Sequence, residues 1–296
     1  MRTGMLRIGI VTGAGLAHGP AFAGIINGSR DTPPGSYPDL ADVRVTAVYD
    51  QETAVAEKLA ADYGIERVAR SPAEVADAVD AVLLLDDGTR EHQRQAPPLL
   101  ERRLPTFVDK PLSTDPREAA ELVCLAASAG APFMSCSALR YTRELEENRA
   151  ALEAAAPYLA ACAIGPGELI YYGIHPCELL QAAIGPGVRA VQNLGEEGRH
   201  IARLFYGDDR SAVLQVFEGI SYVFHLSVYG KGGWVSFQVS DHVYFYTQTV
   251  LRFVGMCRSG EQPIAPGDTL EIIRTLWCAR KSAQEGGRVV GLEEAS

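Results

Sequence analysis

The hydrophobic positions in the first half of the chain alternate between short apolar runs and longer amphipathic segments. The apolar runs, which are typical of buried parallel strands, are LRIGIVTG, VRVTAVYD, DAVLLLD, PTFVD and PFMSCS. The amphipathic segments carry helix-capping residues at one or both ends and are TAVAEKLAADYG, SPAEVADAV and DPREAAELVCLAASAG. Repeated strand–helix–strand units predict a doubly wound α/β domain over residues 1–137, with a parallel sheet and helices on both faces.

The pattern then changes. ELEENRAALEAAAPYLAACA has a long helical pattern, and extended aromatic-rich segments follow it: RHIARLFYG, SAVLQVFEG, YVFHLSVYG, GWVSFQVS and HVYFYTQ. Strict alternation places four side chains of one segment on a buried face, those of Tyr222, Phe224, Leu226 and Val228. We expect an α+β domain over residues 138–296 with a large, mostly antiparallel open sheet. A capped C-terminal helix in APGDTLEIIRTLWCARKSAQEGG completes it and is able to pack back on the first domain.

The composition argues against several classes of protein. The chain has 296 residues, of which 47% are hydrophobic and 22% charged, with a formal net charge of −10. This acidic balance argues against a nucleic-acid partner, because affinity for phosphates needs positive charge. The sequence contains no apolar stretch of bilayer length and no signal-peptide pattern, so we expect a cytoplasmic protein with no membrane partner. The six cysteines and six histidines show no metal-ligand spacing, so we expect no metal site.

A glycine-containing turn follows the first predicted strand. GIVTGAGLAHG places Gly13 and Gly15 where backbone without a Cβ lets a dinucleotide pyrophosphate approach the next helix. The third glycine of the G-x-G-x-x-G fingerprint falls on His18, and Gly19 comes one position late. Asp50 ends the second strand, where a carboxylate binds the adenosine ribose and repels a 2′-phosphate, which favours NAD over NADP. The alternative is a doubly wound domain with a tight turn and no nucleotide.

A lysine stands at the carboxyl end of another predicted strand. PTFVDKPLS places Asp109 and Lys110 where open α/β sheets bind their ligands. Pro111 keeps Lys110 out of helical conformation and so fixes its direction. A lysine held there is able to donate a proton or a hydrogen bond to a substrate oxygen. The alternative is a surface lysine with no chemistry.

A histidine precedes a short predicted helix in YYGIHPCELL. Pro176 fits the first helical position, which places His175 at or next to the N-cap and Glu178 at the third position. The positive end of the helix dipole disfavours an imidazolium ion there. A neutral histidine that exchanges one hydrogen bond is therefore favoured over a strongly basic one. The alternative is that His175 and Glu178 only cap the helix.

These motifs occur in an order that resembles the Gfo/Idh/MocA family of NAD(P)-dependent oxidoreductases. The resemblance is strongest in FVDKPLS, SALRY, GIHPCELL and GEQPIAPGDTLEIIRTLWCARKS. It implies a Rossmann domain that holds the cofactor and an α+β domain that covers a small-molecule substrate. It also implies that Lys110 and His175 act on a sugar-like or polyol hydroxyl while hydride passes to or from the nicotinamide. Assembly as a homodimer or homotetramer through the C-terminal sheet is a further expectation.

The same resemblance assigns the remaining site residues. Those expected to bind the substrate are Arg140, Tyr171 and Tyr172. Those expected to bind NAD are Gly13, Ala14, Gly15, Leu16, Asp50, Asp87, His92, Asp109 and Lys110.

Three departures from the family pattern leave other functions open. Asp109 replaces a glutamate, and Asp87 with Gly88 replaces a Thr-Pro pair. Tyr171 stands four residues before His175, where many members have an aspartate. A tyrosine with an ordinary pKa of about 10 cannot supply the missing charge. A nucleotide- or sugar-binding sensor without turnover, and a non-redox enzyme that recycles its nicotinamide, are the alternatives.

Overall fold

The computed structural model describes residues 4–29, 33, 35–86 and 89–295. The chain folds into two compact units. The first comprises Met1–Ser113, Ala120–Ser135 and Tyr246–Ala265, and the second comprises Thr114–Ala119, Cys136–Phe245 and Pro266–Ser296. The functional division between residues 137 and 138 stays a prediction.

The first unit contains a six-stranded parallel sheet with the order β3-β2-β1-β4-β5-β6. Its strands are β1 Leu6–Val11, β2 Val43–Tyr49, β3 Arg67–Val68, β4 Ala81–Leu84, β5 Thr106–Val108 and β6 Phe133–Met134. Every described pair of neighbouring strands is parallel. This is the doubly wound order in which the chain reverses its direction of progress between β1 and β4. The predicted fold class of the first domain is confirmed.

The helices described in the first unit are α1 His18–Asn27, α2 Thr53–Tyr63, α3 Pro72–Ala76, α4 Thr89–Glu101 and most of α5 Pro116–Ala129. Three of them, α2, α3 and α5, correspond to the segments with predicted caps. At the start of α3, the Ser71 hydroxyl accepts a hydrogen bond from the Glu74 amide at 3.2 Å. At the end of α2, Gly64 takes the left-handed conformation with φ 63° that favours glycine.

The second unit contains a seven-stranded mixed sheet with the order β12-β11-β7-β10-β9-β8-β13. Its strands are β7 Tyr158–Pro166, β8 Val188–Asn193, β9 Arg199–Tyr206, β10 Ser211–Phe217, β11 His225–Gly230, β12 Gly233–Gln238 and β13 Val290–Gly291. Strands β7 and β10 are parallel, and the other described pairs are antiparallel. The predicted large, mostly antiparallel sheet is confirmed.

Short and long helices accompany this sheet. They are α6 Arg143–Glu147, α7 Arg149–Ala155, α8 Ile174–Ile184, the first turn of α9 His242–Ser259, and α10 Pro266–Gln284. The rest of α9 belongs to the first unit. A 3-10 turn at Ala138–Tyr141 precedes α6.

Two predicted elements are wrong. The predicted long helix ends at Ala155, and Tyr158–Pro166 is the inner strand β7. Pro157 lacks a backbone N–H and interrupts the helix, so the alanine-rich residues that follow it pair with two other strands instead. HVYFYTQ was predicted as a strand but begins the helix α9, because the Asp241 carboxylate accepts the Tyr244 amide at 2.9 Å and starts the first turn.

The buried face predicted for YVFHLSVYG, which includes residues of β11, is correct only in part. Phe224, Leu226 and Val228 are buried. Tyr222 is 75% exposed, because β11 begins at His225 and the alternation of a strand does not extend back to it.

Candidate active site

The turn between β1 and α1 has the close backbone packing that a dinucleotide site requires. Gly13 has φ +70°, and a Cβ there would lie 2.0 Å from the Leu85 carbonyl oxygen. A Cβ on Gly19 would lie 2.4 Å from the Gly13 carbonyl oxygen. Gly19 therefore provides the close helix–strand packing that the fingerprint gives to its third glycine, one position later. The residues of this turn fit the pyrophosphate of NAD.

The acidic residue at the end of β2 lies beside this turn. One oxygen of the Asp50 carboxylate accepts a hydrogen bond from the Ala14 amide at 3.0 Å, and the other accepts the Glu52 amide at 3.1 Å. Although the connection between α1 and β2 is long, the Asp50 carboxylate lies beside the glycine turn, as the dinucleotide-binding fingerprint requires. Leu16, also predicted to bind cofactor, is 37% exposed on the turn.

The D-K-P segment follows β5 and is buried. Asp109 is 4% exposed and Lys110 8% exposed, so the alternative of a surface lysine is wrong. One Asp109 oxygen accepts the Lys110 amide at 2.7 Å. The other lies 2.5 Å from Nδ1 of His18. The Lys110–Pro111 peptide is cis.

His92 connects two segments at the same edge of the sheet. Its ring is fully buried, with Nε2 2.7 Å from the Asp86 carbonyl oxygen and Nδ1 3.3 Å from that of Leu112. Asp86 follows β4 and Leu112 follows β5, so the ring lies between the ends of two neighbouring strands, and its N–H in the neutral form donates to one of the two carbonyls. Asp87, predicted beside it, lies outside the described residues.

In the second unit, His175 lies inside the first turn of α8. The helix begins at Ile174 with Gly173 as its N-cap, and no side chain caps it. The predicted helix start and the capping roles of His175 and Glu178 are wrong. The residues before α8 already form a turn, in which the Gly173 amide donates to the Glu168 carbonyl, so the helix begins before the proline. Proline is tolerated in a first turn, where the backbone N–H has no intrahelical partner.

A serine that the sequence analysis did not assign holds the His175 ring. The Ser137 Oγ atom lies 2.7 Å from His175 Nδ1 and accepts a hydrogen bond from the Leu139 amide at 3.2 Å. Tyr172 and Phe224 meet the imidazole edge-on, with ring centroids 5.6 and 5.4 Å away. Ser137 opens the SALRY motif, which was the signal available in the sequence.

A buried ion pair lies next to this serine. Arg140 Nε donates to the Glu178 carboxylate at 2.6 Å, and the Ser137 amide is 3.4 Å from its other oxygen. Burial raises the pKa of Glu178, and the Arg140 charge and hydrogen bond only partly oppose this. Burial acts to lower the pKa of Arg140, but the Glu178 charge outweighs it and the pKa of the guanidinium is raised. Arg140 also donates to the Gln181 side chain.

The two predicted tyrosines stand on a turn organised by one carboxylate. Glu168 Oε2 accepts the amides of Ile170 at 2.9 Å and Tyr171 at 2.6 Å. The rings of Tyr171 and Tyr172 are half-buried, with centroids 6.0 Å apart.

The predicted residues therefore form two groups, each within one unit. In the first unit the structure brings together Gly13, Ala14, Gly15, Asp50, His92, Asp109 and Lys110 at the carboxyl edge of the parallel sheet, with His18 added. In the second unit it brings together Tyr172, His175 and Arg140, with Ser137 and Glu178 added. Within the described parts of the chain, no helix is long and apolar enough to cross a membrane and no acidic, cysteine or histidine cluster is arranged for a metal.

Comparison with known proteins agrees with this geometry. The parallel sheet and the glycine turn define a Rossmann-type dinucleotide-binding fold, and residues 6–136 match the model of the oxidoreductase family with an NAD-binding Rossmann fold. This match covers less than half of the chain and agrees with the resemblance to the Gfo/Idh/MocA family that the motifs predicted.

Individual proteins are also similar to this chain in sequence or in fold. Inositol 2-dehydrogenase 1 from Mycolicibacterium vanbaalenii is 36% identical over 103 residues, which cover 34% of this chain and 30% of that protein. A probable dehydrogenase from Thermotoga maritima superposes with a TM-score of 0.85 and 17% identity, over 98% of this chain and all (100%) of that one. Myo-inositol dehydrogenase from Lactobacillus casei, solved with NAD(H) and myo-inositol, has a TM-score of 0.80 and 15% identity over 97% and 96% of the two chains. The two structural matches establish the fold alone.

Alanine at Gly13 is expected to weaken NAD binding by about tenfold or more. The added Cβ meets the Leu85 carbonyl oxygen, and a side chain at positive φ costs about 1–3 kcal/mol. Isothermal titration with NAD measures the loss. Gly255→Ala is the control, because a Cβ there meets nothing within 4 Å. Unchanged NAD affinity in folded Gly13→Ala protein would contradict the assigned cradle.

Replacing Arg140 by Met is expected to destabilise the second unit by about 3–5 kcal/mol, because it leaves Glu178 buried without its partner. The pKa of Glu178 then rises further above its ordinary 4.5, and the folded state holds a proton that the unfolded chain releases. The loss is therefore larger at about pH 8 than at about pH 5. Urea unfolding at both pH values measures it.

The double variant Arg140→Met/Glu178→Gln removes the titrating group. It is expected to show no such difference between the two pH values. Equal losses for Arg140→Met at both would contradict a buried, unpaired carboxylate.

Proposed function

We propose that the protein is an NAD-dependent dehydrogenase that interconverts a hydroxyl and a carbonyl on a sugar-like or inositol-like polyol. The observation that carries this proposal is the buried Lys110 at the end of β5, in the same unit as a glycine turn that fits NAD. The printed name of the inositol 2-dehydrogenase relative supports a polyol substrate. The proximity of Asp50 to the turn supports NAD over NADP, because a carboxylate repels a 2′-phosphate.

Oxidation of an alcohol removes a hydride from carbon and a proton from oxygen. When bound, NAD accepts the hydride. We assign Lys110 to hydrogen-bond the substrate oxygen and His175 to exchange the hydroxyl proton through Nε2, since Ser137 is bonded to Nδ1. In the reverse direction His175 returns the proton to the carbonyl oxygen, while Lys110 keeps its hydrogen bond to that oxygen.

The remaining predicted residues take supporting parts in this proposal. Tyr171 and Tyr172 shape the substrate site from the turn that Glu168 fixes. The guanidinium of Arg140 donates hydrogen bonds to Glu178 and Gln181. These bonds support a structural role for Arg140 near His175 and not the direct substrate contact that was predicted.

Lys110→Ala is expected to lower kcat/KM on the true polyol by about 100-fold or more, because it removes the group that binds the substrate oxygen. The assay follows nicotinamide absorbance with a panel of inositols, sugars and linear polyols. Lys231→Ala, which changes an exposed lysine, is the control. If Lys110 and His175 act on one hydroxyl, the double alanine variant is little worse than the poorer single variant.

Full turnover by Lys110→Ala would overturn the assignment of the lysine. NAD binding without turnover of any panel member would favour a sensor. Product formation without a net change in nicotinamide absorbance would favour a non-redox enzyme that recycles its cofactor.

We further propose a cytoplasmic homodimer or homotetramer that assembles through the open face of the second sheet. That face carries exposed apolar side chains on separate strands, including Ile201 at 38%, Tyr229 at 49% and Trp234 at 68% exposure. Tyr229 and Trp234 are directly opposed on β11 and β12. The successive pairs Ile201–Gln215, Gln215–Ile164 and Ile164–His225 place Ile201 on the same face of the sheet. Exposed apolar side chains that share one face are typical of protein interfaces.

Ile201→Glu/Trp234→Glu is expected to reduce the particle mass measured by light scattering to that of a smaller assembly, since two buried charges oppose association. Met5→Glu, at an exposed apolar position of the first unit, is the control. A monomeric wild-type protein would contradict the proposed assembly.

A further inference from the structure

His18, at the position of the missing glycine, is not a solvent-facing side chain. Only 13% of its side chain is exposed. Its ring stacks on Phe22, with centroids 5.4 Å apart and planes 5° from parallel, and meets Tyr246 edge-on at 5.1 Å. The plane of the imidazole is therefore fixed by two aromatic rings.

The fixed ring holds a buried carboxylate. Nδ1 of His18 lies 2.5 Å from one oxygen of Asp109, while the other oxygen accepts the Lys110 amide at 2.7 Å. A buried carboxylate requires hydrogen-bond partners, and one that is shared in this way has a single orientation. Asp109 thus bridges the first residue of α1 and the backbone of Lys110.

We propose that His18 is a positioning residue for Lys110. By fixing the Asp109 carboxylate, it sets the backbone direction of the lysine at the end of β5. His18 is also the first residue of α1, the helix whose N-terminus receives the cofactor pyrophosphate in this fold. The contact therefore joins the cofactor-binding turn to the lysine. This inference rests on the proposed function of Lys110.

Two substitutions separate positioning from aromatic packing. His18→Phe keeps a ring against Phe22 and Tyr246 but removes the hydrogen bond to Asp109. His18→Asn removes the ring but keeps an N–H donor near the place of Nδ1. If His18 positions Lys110, His18→Phe is expected to lower kcat by about 10- to 100-fold, with KM for the polyol changed less than about threefold. His18→Asn is expected to recover most of the lost kcat. Full activity in His18→Phe, with loss in His18→Asn, would overturn the proposal.

A readout without turnover keeps this test separate from that of the dehydrogenase function. In the wild-type protein, the short contact to Asp109 is expected to give a strongly deshielded imidazole proton resonance that disappears in His18→Phe. The rate at which a small activated ester acylates Lys110, followed by mass spectrometry, is expected to change about threefold or more in His18→Phe and to recover in His18→Asn. These results support the inference even if no panel polyol is oxidised. An absent resonance together with unchanged acylation in His18→Phe would overturn it.

Discussion

The first unit depends on one constraint, the parallel direction of all its strands. Because the strands point the same way, every connection at their carboxyl ends emerges at one edge of the sheet. The neighbouring positions of β1 and β4 place the glycine turn at Gly13 against the Leu85 carbonyl. The segment that carries Asp109 and Lys110 follows the next strand along, β5. Residues far apart in the chain therefore form one group, because the loops that follow parallel strands all lie at the same edge of the sheet.

Within each unit a buried carboxylate then sets the geometry of a candidate catalytic side chain. Asp109 orients Lys110 through a backbone amide, and Glu178 lies against the amide of Ser137, whose hydroxyl meets His175. Neither carboxylate is left without a partner, since an unsatisfied buried charge costs several kcal/mol, about 3–5 when one member of a pair is removed. The groups that satisfy each carboxylate therefore also link it to a candidate catalytic residue, to the backbone of Lys110 directly and to the ring of His175 through Ser137.

Interactions between residues close together in the sequence made much of the fold predictable. The contacts at Asp109 and at His175, in contrast, join residues far apart in the sequence. The apolar runs that form strands, the N-cap at Ser71 and the C-cap at Gly64 each depend on residues only a few positions away. The structure contains these two caps as predicted. The His18–Asp109 and Ser137–His175 contacts join residues 91 and 38 positions apart, so no periodicity encodes them. The two errors arose where other interactions outweighed residue propensity: an N-terminal cap at Asp241 outweighed the β-forming aromatics of α9, and Pro157 with strand pairing outweighed the helix-forming alanines of β7.

The replacement of a family aspartate by Tyr171 gains a physical meaning from these contacts. Ser137, a neutral hydroxyl, meets Nδ1 of His175. A hydroxyl orients an imidazole without stabilising its cationic form as a carboxylate does. This contact is consistent with the role proposed for His175, the exchange of one proton with the substrate hydroxyl. In the proposed reaction Lys110 hydrogen-bonds the substrate oxygen, and the proposed positioning contact links its backbone to the first residue of α1 through Asp109 and His18. The two proposed groups thus differ in how they are held, His175 by a neutral side-chain hydroxyl and Lys110 by a carboxylate that accepts its backbone amide.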